Sequence, residues 1–480
     1  MDRRSFLRGI GCVGVGFGLP ARAVLAPGRE LSAVASPYGE LDEATAGEVG
    51  VIVPAGFAAR VVAVAGEVVS TTGHEWHRAP DGAATFPTED GWIYVCNSEV
   101  PTFGEGGVGA IRFVDGEPVD AYPILTDTTM NCAGGPTPWG TWLSCEEFEL
   151  AAEDVVDGQV RGGMVWETDP SGAAPARAHP AMGVFQHEAA AVDPVGQRVY
   201  LTEDQPDGRL YRFTPDTYPD LSAGALEAAV VDDSGSVSWI PVPDPTAATR
   251  TLREQVPEAR IFPGGEGIWY HDGVVVFTTK RDVRVHELDV VADRHRILYD
   301  GPAIDDPVLD TVDNVTVHEP SGDVYVAEDG SFPIELVTIT PTGGVHPFVR
   351  LVGDVHRGSE ITGPCFSPDG SRLYFSSQRG GGAGMTFEVS GPFRTVPDPS
   401  PPSTTIATGT TAPSTIEAPT SGPSTTRAGA GTVEADDDSA SDEGGVGAVA
   451  IGAAGAAGLA TTAWIVRRRR ATGEVEPVEP

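Results

Sequence analysis

A short apolar strand that ends in polar residues recurs six times in the chain. The copies read GWIYVCNSE, GTWLSCEE, QRVYLTED, VVVFTTKRD, GDVYVAEDG and SRLYFSSQR. Their aromatic residues are Tyr94, Trp142, Tyr200, Phe277, Tyr325 and Tyr374, at intervals of 48, 58, 77, 48 and 49 residues. A period near 48 residues built from short strands is typical of a propeller blade. The sequence therefore predicts an all-β fold, a six-bladed β-propeller over residues 45–395, with an insertion within residues 216–260. A β-sandwich or β-helix is the alternative.

Each copy follows another strand across a tight turn such as HDG or SPDG, so each repeat begins with a β-hairpin. In a hairpin the start of the first strand lies beside the end of the second, which places both on one rim of the propeller. Candidate metal ligands collect at these ends: Glu99, Cys132, Cys145, Glu146, Glu147, Glu188, Glu266, Asp313 and Glu360. Taken singly, each carboxylate could be a solvated loop end.

Carboxylates that converge on one axis cannot all ionise unless cations compensate their charge. A ring of oxygen ligands suits Ca²⁺, and a thiolate in the same cluster indicates a transition metal as well. The net charge of −38 excludes nucleic acid as a partner, because phosphates would be repelled. Small anionic substrates would need recruited cations for the same reason.

The N-terminus begins with Arg3-Arg4 followed by Ser-Phe-Leu and a short apolar stretch. This pattern predicts a twin-arginine export signal over residues 1–23; a chance basic start is the alternative. Export by this route carries folded proteins and suits a chain that loads metal before it leaves the cytoplasm.

The C-terminal part predicts a membrane anchor. Residues 396–445 form a Pro/Ser/Thr-rich, acidic linker whose composition favours a disordered stalk. Residues 446–466 are uncharged and long enough to span a bilayer as a transmembrane helix, and four arginines begin the tail at 467–480. We expect a cell-surface protein with a cytoplasmic C-terminus; a buried helix or free tail is the alternative.

The segment NCAGGPTPWGTWLSCEE, residues 131–147, resembles the signature of the PhoX family of secreted alkaline phosphatases. The segments HEAAAVDPVGQRVYLTEDQPDGRLYRF, GEGIWYHDGVVVFTTK, DNVTVHEPSGDVYVAEDG and EITGPCFSPDG follow in the family's order, so the likeness covers roughly residues 50–390. The resemblance implies a six-bladed propeller with an axial metal cluster that hydrolyses small phosphate monoesters using Fe³⁺ and Ca²⁺.

The resemblance also implies roles for single residues. Cys132 matches the iron ligand, with Cys145 as second choice, and Glu188 and Glu266 match glutamates of the metal site. The remaining matched carboxylates bind calcium or support the ligands: Glu99, Glu147, Asp313 and Glu360.

Two departures from the family pattern bear on catalysis. The chain has Asn97-Ser98-Glu99 where the family often has Asn-His-Glu, and Gly264-Gly265 where longer members have Arg-Pro. That arginine can hold the substrate phosphate. Lys280 or Arg379 is the candidate to replace it, since either side chain could reach a phosphate from the rim.

Several alternatives stay open. Cys132 and Cys145 could form a disulfide in an oxidising compartment, although four cysteines outside the signal are too few to build the fold. Cys96 and Cys365 stand in apolar contexts that favour packing. His187 is a possible ligand, but a backbone carbonyl could equally satisfy it.

Two other functions compete with a phosphatase. One is a propeller hydrolase with a single Ca²⁺, such as a lactonase or phosphotriesterase. The other is a calcium-stabilised surface module that binds a protein and has no activity. We expect a monomer in each case.

Overall fold

The structure is a computed structural model that describes residues 35–150 and 162–395. Within these ranges the chain forms 27 strands, one short α-helix (α1, Leu252–Gln255) and several single turns of 3-10 helix. The 3-10 turns are Glu43–Thr45, Pro180–Met182, Gly301–Ala303, Asp354–His356 and Gly380–Gly382. The all-β prediction is therefore confirmed.

The strands follow one another in chain order. The first three are β1 (Leu41–Asp42), β2 (Val51–Pro54) and β3 (Ala58–Val64). The next four are β4 (Pro80–Pro87), β5 (Gly91–Ser98), β6 (Gly106–Val114) and β7 (Glu117–Thr128). Then come β8 (Asn131–Pro136), β9 (Trp142–Glu146), β10 (Val165–Thr168), β11 (Arg177–Ala178), β12 (His187–Asp193), β13 (Arg198–Glu203), β14 (Leu210–Thr217), β15 (Asp220–Val231) and β16 (Val237–Pro241).

The second half continues the same succession. It comprises β17 (Gly265–His271), β18 (Val274–Thr279), β19 (Arg284–Asp289), β20 (Arg294–Asp300), β21 (Val315–His318), β22 (Asp323–Ala327), β23 (Ile334–Ile339), β24 (Val345–Leu351), β25 (Ile361–Phe366), β26 (Arg372–Ser377) and β27 (Met385–Ser390).

These strands form six antiparallel sheets, which confirms the six-bladed propeller. Blades 1 to 4 are β4–β7, β8–β11, β12–β16 and β17–β20. Blade 5 joins β21–β24 to β2 and β1, and blade 6 joins β25–β27 to β3. Because β3 comes from the N-terminal end and pairs with the C-terminal β27, the two ends of the propeller close the ring together. Ring closure leaves only short, protected sheet edges.

The six repeated copies are the second strands of the blades: β5, β9, β13, β18, β22 and β26. Their aromatic residues are all buried, so each copy supplies the ring that fills the space beside its blade. The first strands of the blades are innermost, and each contacts the first strand of the next blade around the axis. Both features agree with the hairpin interpretation of the sequence.

The innermost strands approach one another too closely for side chains at some positions. A β-carbon on Gly82 would lie 2.4 Å from the Ala133 Cα in blade 2, and one on Gly267 would lie 2.5 Å from the Val315 nitrogen in blade 5. Glycine is therefore required at both sites. As a result, side chains at the ends of these strands lie within reach of one another.

The long interval between the third and fourth copies is an insertion, as expected. It adds the fifth strand of blade 3, β16, and the helix α1. The Thr251 N–H donates to the Glu254 carboxylate at the start of α1, 3.0 Å away, which satisfies a donor that the first turn leaves free. Leu252 is fully buried against blade 3.

Among the described residues, no helix has the length and apolar character needed to cross a membrane. The predicted export signal at 1–23, the linker at 396–445, the transmembrane helix at 446–466 and the tail at 467–480 lie outside the described residues.

Candidate metal centre

β-Bulges aim four side chains at one end of the propeller axis. The strand register shifts between Pro80 and Ala83, Asn131 and Gly134, His187 and Ala190, and Gly265 and Ile268, each time directly after the first paired residue of an innermost strand. The first residues within these bulges are Asp81, Cys132, Glu188 and Glu266. A bulge redirects side chains locally, and here the same device is used in four consecutive blades.

Carboxylates at the ends of the second strands and before β21 and β25 complete the cluster. Its ligand atoms form four groups of three, with the atoms of each group within 4.8 Å of one another. The groups are Asp81, Glu99 and Cys132; Cys132, Glu147 and Glu188; Glu188, Glu266 and Asp313; and Asp313, Asp329 and Glu360. Each group shares a residue with the next. One thiol and eight carboxylates therefore form a continuous cluster, which we call the acidic cluster.

Most carboxyls of the acidic cluster are held away from their ionised state. Burial, with neighbouring carboxylates as a further cause, raises the pKa values of Asp81, Glu99, Glu147, Glu188, Glu266, Asp313 and Glu360. Three of their buried oxygens, Asp81 Oδ1, Glu188 Oε2 and Glu266 Oε1, have no hydrogen-bond donor among the described residues. Buried carboxylate oxygens need a partner, so this donor set fits bound cations.

The thiol of Cys132 lies inside the acidic cluster. Its Sγ is 3.2 Å from Glu188 Oε1, and burial and the carboxylates of Asp81 and Glu188 raise the pKa of the thiol well above its ordinary value. A bound cation would reverse this balance, because metal coordination stabilises the thiolate. The site therefore offers a sulfur ligand to a transition metal.

Cys145 and Glu146 are not brought into the acidic cluster. Cys145 is fully buried in the apolar core between blades 2 and 3. The Glu146 carboxylate accepts hydrogen bonds from the N–H groups of Thr129 and Met164, at 3.4 and 3.2 Å. Cys132 and Cys145 are both free thiols, so the structure contains no disulfide between them.

Two basic side chains contact the acidic cluster. Lys280 Nζ lies 2.9 Å from Asp329 Oδ2, 3.1 Å from Asp313 Oδ2 and 3.6 Å from Glu266 Oε1. Burial alone would lower the pKa of Lys280, but these carboxylates raise it well above its ordinary value. The Arg379 guanidinium is 2.6 Å from Glu360 Oε1 and half exposed. The structure thus brings both predicted phosphate-binding residues to the rim.

Amide side chains contact the other carboxylates. Gln378 Nε2 donates to Asp81 at 2.6 Å and to Glu99 at 2.5 Å, and Gln186 Nε2 donates to Glu147 at 2.9 Å. These neutral donors orient the carboxylates without neutralising their charge.

The sequence interpretation missed two members of the acidic cluster, Asp81 and Asp329. A signal for each was present, because Asp81 stands at the start of the strand before GWIYVCNSE and Asp329 is the penultimate residue of the copy GDVYVAEDG. His187 is not a ligand here: its Nε2 lies 3.1 Å from the Gly183 carbonyl oxygen, and burial lowers its pKa to about 3. Cys96 and Cys365 pack together in the core beside blade 1, as expected.

A six-bladed propeller with a thiol and eight carboxylates at one end of its axis has a donor set that fits metal cations. The family model "Alkaline phosphatase PhoX" matches residues 117–262 and 273–381, more than half of the chain. The chain therefore belongs to the PhoX family of alkaline phosphatases, and it is a metal-dependent phosphatase. The matched ranges include every member of the acidic cluster except Asp81, Glu99 and Glu266.

Solved structures support the fold. The structure of Pseudomonas fluorescens PhoX in complex with vanadate, a transition state analogue, is similar with a TM-score of 0.59 at 16% identity, over 72% of this chain and 96% of that one. A gluconolactonase from Xanthomonas campestris is less similar, with a TM-score of 0.43 at 11% identity, over 75% of this chain and 97% of that one. No curated protein sequence matches the chain.

Proposed function

We propose that this chain hydrolyses small phosphate monoesters outside the cell, with Fe³⁺ and Ca²⁺ bound in the acidic cluster. The observation that carries the proposal is the acidic cluster itself, in which a thiol and eight carboxylates lie close together in a chain of the PhoX family. An assembly this acidic would repel a dianionic ester unless cations were bound among its oxygens.

The chemistry of the donors suggests where each metal binds. The two groups that contain Cys132 suit iron, because a thiolate prefers a transition metal. The two groups with oxygen donors alone, which share Asp313, suit calcium. Bound in this way, the ions would supply Lewis acidity toward the phosphoryl oxygens and lower the pKa of a water molecule.

The chain's own residues would bind and orient the ester. Lys280 and Arg379 each present N–H donors at the rim, and charge-assisted hydrogen bonds from such donors bind phosphate oxygens. Lys280 acts as a compact point charge, whereas Arg379 offers a planar fork that can contact two oxygens at once. Together they take the place of the arginine that longer family members have near position 264.

Metal removal tests the proposal. Exhaustive chelation of the full-length protein should abolish hydrolysis of p-nitrophenyl phosphate, and adding iron and calcium together should restore it. Protons compete with cations for these carboxylates, so metal should be lost more readily as the pH falls. Hydrolysis that survives complete metal removal would refute the mechanism.

Elemental analysis separates the alternatives. Protein exported through its own signal should contain both iron and calcium. Calcium without iron would favour a single-calcium hydrolase of the lactonase or phosphotriesterase type, and neither metal tightly held would favour a binding module without activity.

We also infer that the propeller lies on the outer cell surface, anchored through residues 446–466. The motivation is the sequence pattern of an export signal at one end and an apolar segment followed by arginines at the other. Protease added to intact cells should remove the propeller and leave a membrane-bound C-terminal fragment. A propeller that stays intact when protease is added to whole cells would contradict the proposed location on the outer surface.

A further inference from the structure

Three buried polar side chains stand opposite the bulges that aim the ligands. Asn97 on β5, Thr202 on β13 and Thr278 on β18 occupy the same register position, one residue before the last pair of their hairpins. All three are essentially inaccessible to solvent, with 0%, 1% and 0% of their surface exposed. Buried polar groups at one repeated position indicate a shared role.

Each of these side chains donates a hydrogen bond to the main chain of the next blade. Thr202 Oγ1 donates to the carbonyl oxygen of Glu266 at 2.6 Å, and Thr278 Oγ1 donates to that of Asp313 at 2.5 Å. Asn97 Nδ2 donates to the carbonyl oxygen of Cys132 at 3.1 Å. In every case the acceptor is the backbone of a member of the acidic cluster.

Further contacts prevent these donors from turning away. The Asn97 Oδ1 atom accepts hydrogen bonds from Trp142 Nε1 at 2.8 Å and from Ser144 Oγ at 3.0 Å, and its Nδ2 also donates to the Ala133 carbonyl at 2.8 Å. All of these partners lie in blade 2. Asn97 therefore has its amide orientation set by the blade whose ligand it holds.

Thr202 connects two ligand strands at once. Its Oγ1 accepts a hydrogen bond from the N–H of Ala189 at 3.2 Å, directly after Glu188 in its own blade, while it donates to Glu266 in blade 4. The two bulges are thus joined through one hydroxyl. The hydroxyl therefore links the backbone beside Glu188 to the backbone of Glu266.

Blade 2 has a cysteine where the other three blades have an amide or a hydroxyl. Cys145 lies opposite the Cys132 bulge in the same register position. A thiol is a weak donor, and Cys145 packs among apolar side chains of the core between blades 2 and 3. This position explains why Cys145, near the end of the signature segment, does not join the acidic cluster.

We propose that Asn97, Thr202 and Thr278 are positioning residues of the metal centre, which set the distances between ligands of neighbouring blades. The inference rests on the proposed function for the identity of the ligand, a group of metal cations. Coordination tolerates only small errors in ligand distance, and removal of a group that supports a ligand typically weakens metal binding 10- to 100-fold.

Substitutions at Thr202 test the inference in the full-length protein. Thr202→Val keeps the shape and removes the hydroxyl, and Thr202→Ser keeps the hydroxyl. Thr168→Val is the matched control, because Thr168 is equally buried and donates to the Trp142 carbonyl at 3.3 Å, but lies in the third strand of blade 2. Calcium affinity by equilibrium dialysis and melting temperature should be measured for each.

We expect Thr202→Val to weaken calcium binding about tenfold or more, and Thr202→Ser and Thr168→Val to change it by less than about threefold. Unchanged calcium binding in Thr202→Val, or an equal loss in Thr168→Val, would overturn the inference. If Thr202→Val does not fold, Thr278→Val is judged by the same criteria. A wild-type protein that binds calcium but hydrolyses no phosphate ester would refute the proposed function and leave this inference standing, since the equilibrium dialysis measures metal binding and not hydrolysis.

Discussion

The two halves of the acidic cluster differ in how their negative charge is compensated. The thiol half consists of Asp81, Glu99, Cys132, Glu147 and Glu188 from blades 1 to 3. The basic half consists of Glu266, Asp313, Asp329 and Glu360 from blades 4 to 6, together with Lys280 and Arg379. Every carboxylate of the basic half forms an ion pair with one of these two residues. In the part of the chain that the structure describes, the thiol half has amide partners but no ion pair.

This difference separates two tasks within one cluster. Buried carboxylates without a basic partner stay protonated or need a cation, so the thiol half depends on metal for its charge balance. The basic half has positive charge of its own, on the two residues that we propose as phosphate ligands. We therefore expect iron retention to depend most on the thiol half and substrate recognition to depend most on the basic half.

Replacing the thiol should have the largest effect. Cys132→Ser should remove the iron and lower phosphatase activity at least about 100-fold, because the only sulfur donor of the acidic cluster is lost. Elemental analysis and p-nitrophenyl phosphate kinetics measure both effects. Cys145→Ala is the control, since it changes a thiol in the core that the structure keeps apart from the cluster.

Cys145→Ala should lower the melting temperature, because it leaves a small cavity, but should leave iron content unchanged in the folded protein. Equal loss of iron in the two variants would break the distinction between a ligand thiol and a packing thiol.

Replacing Lys280 should have the next largest effect. Lys280→Met should lower kcat/KM for a phosphate monoester about 100-fold, the usual loss when a charged or polar donor to a developing oxyanion is removed. Calcium affinity should rise rather than fall, because the ammonium no longer competes for the carboxylates of Asp313 and Asp329.

Arg112→Met is a suitable control for Lys280→Met. Arg112 also pairs with a carboxylate, Asp90, at 2.6 Å, but it lies on the third strand of blade 1. A loss of calcium in Lys280→Met, with kcat/KM unchanged, would show that the basic half serves metal binding instead.

Arg379→Gln should have the smallest effect of the three. Its side chain is half exposed and contacts one carboxylate, whereas Lys280 is more buried and contacts three, so solvent screens the charge of Arg379 more strongly. We expect KM to rise about threefold at low salt and the effect to fade as ionic strength increases. Steady-state kinetics at two salt concentrations measure it. A loss as large as that of Lys280→Met would make the two basic residues equal partners.

The sequence was sufficient to predict the architecture, because that information is local and repeated. Strands of alternating polarity, turn residues and an aromatic ring recur in each blade, and three of the five intervals between these rings are 48 or 49 residues. Each blade therefore supports the interpretation of the others. The grouping of polar residues at one rim was also predictable, since the start of the first strand and the end of the second strand are adjacent in any hairpin. Most members of the acidic cluster were identified in this way, together with Lys280 and Arg379.

What could not be read from the chain is which of several consecutive polar residues faces the axis. Cys145, Glu146 and Glu147 are neighbours in the sequence, yet Glu147 alone joins the acidic cluster. The choice depends on the bulge in the partner strand and on strand register, because a shift of one residue turns a side chain to the other face.

The identity of the strands, their number and their shared rim thus follow from patterns that each segment carries within itself. The meeting of nine side chains from six blades does not, since it exists only once β3 pairs with β27 and the ring is closed. Closure brings the innermost strands so close together that some of their positions admit only glycine. This proximity brings acidic residues from separate strand ends into one cluster.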